Sequence, residues 1–328
     1  MKSRIIGTGS YVPKKVVSNF ELTKTLDTDN EWIVSRTGIR TRHIADKQSG
    51  ETCSFMATKA AQQAVDDANI SINDIDMIIV ATLSADYKVP SLACLVQEQL
   101  GAFNAAAFDI SAACAGSIYG LSIANSFIVS GQYKNVLFIG AEMMSSATNW
   151  QDRNTAILFG DAASACVISS SNDDKSGFID FKLYADGRQH KHIFMPQGGS
   201  LEAVDEEGIK QGKDKLFMNG RETFKFAVRS VTDSINDILQ KNNFNKENIT
   251  FIVPHQANLR IIEAVAKYVD VSLDKFLINL DKYANTSAAS LMLAYDEANR
   301  NNKLKKDDLL LFLAIGAGFV WGASIYKV

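Results

Sequence analysis

The chain has 328 residues, 46% hydrophobic and 22% charged, with a formal net charge of −3. That balance gives no electrostatic basis for nucleic-acid binding by the chain as a whole, and no run of eighteen apolar residues exists to span a membrane. The length supplies a large core, as one big domain or two of ordinary size.

In chain order, the opening "MKSRIIGTGSYVP" has too short an apolar part for a signal peptide. "MATKAAQQAVDDA" (56–68) places Met56, Ala60, Ala64 and Ala68 at helical spacing, and "MIIVAT" (77–82) is a run of strand length. "FDISAACAGSIYG" (108–120) reads as a short strand, a turn and the start of a helix of small and apolar residues, which is the pattern of a buried helix. "NVLFIGAE" (135–142) is another strand, and "SSSNDDKSG" (169–177) is a polar connector. The polar, glycine-rich segment 184–215 has the length of a lid or binding loop. A helix beginning "ETFKFAVRSVTDSI" at Glu222 then leads into "TFIVPHQ", "INLDKYANTSAASLM", "LLLFLAIGAG" and "GFVWGASIYKV". Strands alternating with helices define an α/β fold.

The second half resembles the first. The "ETF" helix at 222 matches the "ETC" helix at 51, and Asn285 matches Cys114; both pairs are 171 positions apart. A shared offset predicts a duplicated unit, with halves 1–172 and 173–328. It also predicts that Cys114 and Asn285 begin two central helices packed against each other, which would bring the two side chains together.

The four cysteines, Cys53, Cys94, Cys114 and Cys166, show no disulfide or CxxC spacing and read as free thiols in a reducing cytoplasm. Cys53, Cys94 and Cys166 sit in ordinary apolar patterns and are expected in the core. Cys114 stands at a strand-to-helix turn, where helix N–H groups and the helix dipole are expected to lower its pKa and make it a nucleophile. His255 follows an apolar strand directly, at the end where α/β proteins do their chemistry, and can hydrogen-bond an oxyanion or move a proton. Asn285 is expected to cap a helix, and its amide can donate to the same oxyanion. The turn in "AIGAGFVWG" offers unobstructed backbone N–H groups. His190 and His192 alternate in "HKH" but have no third ligand nearby, so no metal is expected.

Seven motifs in register, "GTGSYVP", "DNEWIVSRTGIRTRHIA", "AACAG", "FGDAAS", "HQANLR", "NTSAAS" and "GAGFVWG", resemble the β-ketoacyl-acyl-carrier-protein synthase III family of the thiolase superfamily. The resemblance implies a thiolase-like, five-layered αβαβα fold of two duplicated halves. It implies a Cys114–His255–Asn285 triad that carries out a decarboxylating condensation of an acyl group from acyl-CoA with malonyl-acyl carrier protein, initiating fatty acid synthesis. By the same resemblance, backbone N–H groups of Cys114 and Ala317 form the oxyanion hole. Trp32 and Arg153 sandwich the adenine of coenzyme A, with Arg36 and Asn258 also on the coenzyme. Lys225 and Arg260 dock the acidic carrier protein. Val89, across a homodimer interface, and Phe224 line the acyl pocket. No cofactor is permanently bound, acyl-CoA being a substrate, and a cytoplasmic homodimer without membrane or nucleic-acid partners is expected.

Several positions depart from the family pattern. Ala284 and Ala317 replace glycines, Met292 a proline, Val89 a phenylalanine and Arg221 an asparagine. These changes allow an alternative: a specialised paralogue that transfers a longer or unusual acyl group, including to a non-malonyl acceptor. A subunit that only binds acyl carriers would have lost the cysteine or the histidine, and both are present.

Overall fold

The apolar runs form strands and the small-residue runs form the helices packed on them. The computed structural model describes residues 2–173 and 175–328; Met1, and Asp174 in the expected connector, lie outside the described residues. The strands of the first half are β1 (Lys2–Tyr11), β2 (Lys15–Ser18), β3 (Thr41–Ile44), β4 (Met77–Ala81), β5 (Ala106–Ile110), β6 (Asn135–Met143) and β7 (Asp161–Ser171). Those that follow are β8 (Gly177–Ala185), β9 (Ile193–Phe194), β10 (Phe217–Met218), β11 (Phe251–Pro254), β12 (Leu309–Gly316) and β13 (Val320–Lys327).

The five-stranded sheet has the order β1-β7-β6-β4-β5 and the four-stranded sheet β11-β12-β13-β8. Read as β8-β13-β12-β11, the second sheet repeats β1-β7-β6-β4 strand for strand. The first two pairings are antiparallel in both sheets and the third is parallel. The counterpart of β5 is reduced to one parallel bridge, Ile252 to Phe276. The fold is thus two copies of one βα unit.

Two helices, Gly116–Val129 and Ser290–Arg300, fill the space between the sheets. Their Ile118, Leu121, Ala124, Leu291, Met292 and Tyr295 pack with Phe138 and Phe312 from the sheets. Gly120 makes this closeness possible, because a Cβ there would stand 2.1 Å from the Phe138 ring. The helix Cys53–Ala68 covers the outer face of the first sheet through Met56, Ala57, Ala60, Ala61 and Ala64, at the spacing read from the sequence. The helices Gly220–Lys241 and Leu259–Val269 cover the outer face of the second. Helix, sheet, helix, sheet and helix make the five-layered αβαβα fold. Buried Asp296 on the inner helix accepts from Thr8 Oγ1 at 2.7 Å and Ser10 Oγ at 2.6 Å on β1, so a polar latch joins the halves.

Two expectations need correction. Cys94 is exposed, because the helix Leu92–Leu100 turns Leu92, Ala93 and Val96 inward and leaves Cys94 on its outer face. The segment 184–215 is not a plain loop. It contains a 3-10 stretch (Gly187–His192), strand β9 paired with β10, and a short helix, Glu206–Lys210.

Candidate active site

Cys114 lies just past the C-terminal end of β5, in the 3-10 turn Ala113–Ala115 that leads into the helix Gly116–Val129. Ala113 turns the chain there through a left-handed φ of +45°. Only a few per cent of non-glycine residues adopt such a backbone, and it gathers at functional turns. Gly316, at the end of β12, packs on this turn. A Cβ on Gly316 would meet the Cys114 amide nitrogen at 2.7 Å and that of Ala115 at 2.8 Å. Gly316→Ala must therefore push the cysteine turn aside. We expect a stability loss of about 1–3 kcal/mol together with a disproportionate loss of cysteine reactivity, read by thermal melting and by thiol-labelling rate.

His255 follows β11, and its N–H donates to Leu313 O at 2.7 Å, which extends the β11–β12 ladder by one bond. Gln256 fixes the chain beyond it, donating to Pro254 O (2.8 Å) and Leu277 O (3.0 Å). The imidazole is buried, and behind it lies a hollow of about 20 Å³ walled by apolar side chains including Val231, Ile262 and Val265. Its Nδ1 is buried without a hydrogen-bond partner among the described residues. This apolar setting penalises the imidazolium and pushes the His255 pKa down from 6.5 to about 3. The ring is therefore neutral at any working pH.

Asn285 is held by its backbone, its N–H on Leu158 O (2.9 Å) and its carbonyl accepting from Gly160 N (3.1 Å). Ala284 before it adopts φ +60°, ψ −159°, a region that favours glycine. The expected helix cap is only partly realised, because the long helix begins five residues on, at Ser290. Asn285 instead serves the 3-10 turn Ser287–Ala289, its Oδ1 accepting from Ser287 N–H at 2.9 Å. That bond orients the amide with its NH2 end as the remaining donor.

These three side chains line one cavity of about 580 Å³. Its apolar wall includes Leu83, Met144, Phe159, Phe224 and Phe319, with Ile193, Leu216 and Met218 from the segment that includes β9 and β10. Exposed Arg36, Arg221 and Arg260 stand at its mouth. Trp32, Asn258 and Ala317 also line it, and Asn258 Nδ2 donates to Arg36 O at 3.1 Å.

Three expected site residues stand outside that wall. Val89 is 84% exposed and lies apart from the cavity formed by this chain. Lys225 is exposed and pairs with Glu222 at 2.9 Å. Arg153 lies with its guanidinium 4.9 Å over the Trp32 ring, tied to Asp27 O at 2.7 Å. That stack leaves no room for an aromatic ring between the two, so the adenine sandwich requires Arg153 to swing away from Trp32. Cation–π attraction closes the slot when nothing fills it.

The expected direction of the Cys114 pKa is overturned. Although Cys114 is only half-buried, at the cavity wall, desolvation by the protein around it pushes the thiol up to about 12, and the nearby Glu142 charge adds to the rise. The Ser287 side chain and the cysteine's own N–H favour the thiolate but do not outweigh desolvation. Glu142 and Ser287 escaped the sequence reading. The signal for Glu142 was a lone acid closing "NVLFIGAE", a strand buried along its whole length; Ser287 sat unremarked two residues after Asn285.

The model for 3-oxoacyl-[acyl-carrier-protein] synthase III matches residues 108–187, and the model for its C-terminal region matches 239–328. The β-ketoacyl-[acyl-carrier-protein] synthase III of Caldanaerobacter subterraneus is 48% identical over 323 residues, 98% of this chain and 97% of that protein. The protein of that name from Clostridium acetobutylicum is 45% identical over 324 residues, 98% of each chain. The crystal structure of 3-oxoacyl-[acyl-carrier-protein] synthase III from Aquifex aeolicus superposes with a TM-score of 0.91 at 45% identity, covering 99% of this chain and 100% of that one.

Proposed function

The chain belongs to the 3-oxoacyl-[acyl-carrier-protein] synthase III family, and we infer from this that it condenses an acyl group delivered by coenzyme A with malonyl-acyl carrier protein, losing CO₂ and starting a fatty acid chain. Relatives sharing that activity's name over their full length favour chain initiation over the specialised-paralogue alternative.

Cys114 is assigned as the nucleophile. Its thiolate attacks the thioester carbonyl of acyl-CoA, coenzyme A leaves as its thiolate and takes a proton from solvent, and an acyl-cysteine remains, which is covalent catalysis with ping-pong kinetics. Backbone N–H groups of Cys114 and Ala317 receive the tetrahedral oxyanion, at roughly 10²–10³ in rate per donor. Malonyl-acyl carrier protein then enters. As its carboxylate departs as CO₂, the electron pair of the broken C–C bond passes into an enolate whose oxygen accepts from His255 and Asn285. The enolate carbon attacks the acyl-cysteine, and collapse of that adduct returns the thiolate. Two donors holding one oxygen lower the barrier to decarboxylation, a step that needs no metal.

The observation that carries this reading is the convergence of a thiol, an imidazole and a carboxamide from three distant stretches on one largely apolar cavity. A neutral imidazole suits its part: Nδ1 is the buried nitrogen, so Nε2 is the one presented to the cavity, and a neutral ring donates without adding charge. Arg36 and Asn258 are assigned to coenzyme A. Lys225 and Arg260 are assigned to the acidic carrier protein, whose approach basic residues would steer. Val89 joins Phe224 on the acyl pocket if a second copy brings it there, so the reading includes a homodimer. It also includes a cytoplasmic location. Separately, no described helix is long and apolar enough to cross a membrane.

The test is to incubate the protein with a mixture of acyl-CoAs, read the intact mass, and then add malonyl-acyl carrier protein and follow CO₂. An adduct confined to Cys114 and discharged with stoichiometric CO₂ is expected; an unmodified Cys114 with every donor overturns the reading. Trp32→Ala is expected to raise the KM for acyl-CoA about three- to thirtyfold, the worth of one aromatic–cation stack, with kcat changed by less than twofold in steady-state assays.

A further inference from the structure

Glu142, next to last in β6, is fully buried, and the reaction described above gives it no part. Each described hydrogen-bond partner of its carboxyl group donates. Oε1 accepts from Ser287 Oγ at 2.9 Å. Oε2 accepts from Ser84 Oγ at 2.5 Å, from Leu83 N at 3.2 Å and from Thr82 Oγ1 at 3.5 Å. Ser84 Oγ itself also accepts from Met143 N at 2.8 Å. The backbone of Ala288 also donates to the carboxyl group. Convergent donors fit a carboxylate rather than a carboxylic acid. The turn Ser287–Ala289 packs against the turn Ala113–Ala115 that carries the cysteine, and the Ser287 side chain favours the Cys114 thiolate. Ser287 is held there by a left-handed backbone, φ +50°, in a turn whose neighbours Asn285 and Cys114 already belong to the site.

We propose that Glu142 is a positioning residue that takes the Cys114 proton through the Ser287 hydroxyl, so that the thiolate forms by moving a negative charge already buried in the protein. This rests on Cys114 being the acylated nucleophile. In the step, the S–H bond breaks, its proton joins Ser287 Oγ, and the Ser287 proton passes to Glu142 Oε1. Thiol plus carboxylate becomes thiolate plus carboxylic acid, and the site carries one negative charge throughout. Creating a second buried anion beside the first would be costly; relocating the first avoids this. It also removes the repulsion that Glu142 exerts on the thiolate.

Opposed by burial and favoured by its donors, the Glu142 carboxyl is pushed up from 4.5 to about 7. The titratable groups facing it are the thiols of Cys114 and Cys53, and Asp86 and Asp161 act on the same neighbourhood through Cys53. The accepting form exists above that pKa, so acylation should weaken as pH falls below about 7.

The experiment is rapid-quench acylation by acetyl-CoA and butyryl-CoA between pH 5.5 and 9, on wild type, Glu142→Gln and Ser287→Ala. Condensation is timed separately, from enzyme first acylated to completion. We expect wild-type acylation to rise through a limb near pH 7. Both variants should acylate about 10²-fold more slowly and lose that limb, while their condensation step stays within threefold of wild type. A merely structural role would slow both steps alike and preserve the pH profile. That result, or acylation within threefold of wild type by a folded variant, overturns the proposal. If Glu142→Gln does not fold by thermal melting, Ser287→Ala decides alone. A wild type that never acquires an adduct on Cys114 overturns the nucleophile reading, and the relay with it.

Discussion

Cys114→Ala protein carries no acyl adduct after incubation with acyl-CoA, and its condensation rate falls by roughly 10⁴-fold or more, the scale at which removing a covalent nucleophile disables an enzyme. The argument is geometric. Cys114 is a thiol lining the same cavity as the proposed donors, whereas Cys53 and Cys166 are buried in core clusters and Cys94 faces outward on another helix. None of these three can substitute. Intact-mass spectrometry with peptide mapping reads the result. An adduct surviving in the alanine variant would move the nucleophile elsewhere. Because burial holds the thiol near 12, general alkylation of resting Cys114 at pH 7 should also be slow, since the thiolate is the reactive form. A nucleophile activated in advance, as the turn position alone suggests, would label quickly.

His255→Ala and Asn285→Ala separate the two half-reactions. Both variants are expected to form the acyl-enzyme, while CO₂ release from malonyl-acyl carrier protein drops by about 10²–10³ for each, the worth of one donor to a developing oxyanion. Stopped-flow CO₂ detection on pre-acylated protein makes the measurement, and unchanged decarboxylation in either variant removes that residue from the role. The pH dependence has a definite sign. With a folded pKa near 3, His255 stays a neutral donor from pH 8 down to about 4, so decarboxylation shows no limb near 6.5. Stability pays for this at low pH. In the unfolded chain the imidazole protonates below about 6.5, but the folded one resists until about 3. The folded state therefore keeps its full stability above 6.5 and loses it progressively toward 3, by on the order of 2 kcal/mol at pH 5 from this group. Denaturant unfolding at pH 7 and pH 5 should show that loss in wild type and not in His255→Ala.

Much of the architecture was legible because it is written in periodicity. Apolar runs of strand length and an alanine stripe at helical spacing need only local geometry to be read, and they became β4, β6 and the helix Cys53–Ala68. The shared offset between Cys114 and Asn285 foretold two matching units, because a duplicated fold repeats its turns at a fixed distance along the chain. The segment after β8 was harder. Strands of two residues, such as β9 and β10, leave no periodic signal, yet their pairing puts Ile193 and Met218 in the cavity wall.

The sequence by itself determined the class of fold, its internal repeat and the identity of the three residues that share the cavity, since chain order and residue type suffice for these. Only the tertiary structure decided how those residues behave. It set the thiol high and the imidazole low, because desolvation depends on what surrounds a group in space. It closed Arg153 onto Trp32 and left Val89 outside the wall. It also brought Glu142, 145 positions away in sequence, within hydrogen-bonding distance of Ser287 beside the cysteine. Charge, burial and hydrogen bonding act through space, and distances across the fold are not readable from distances along the chain.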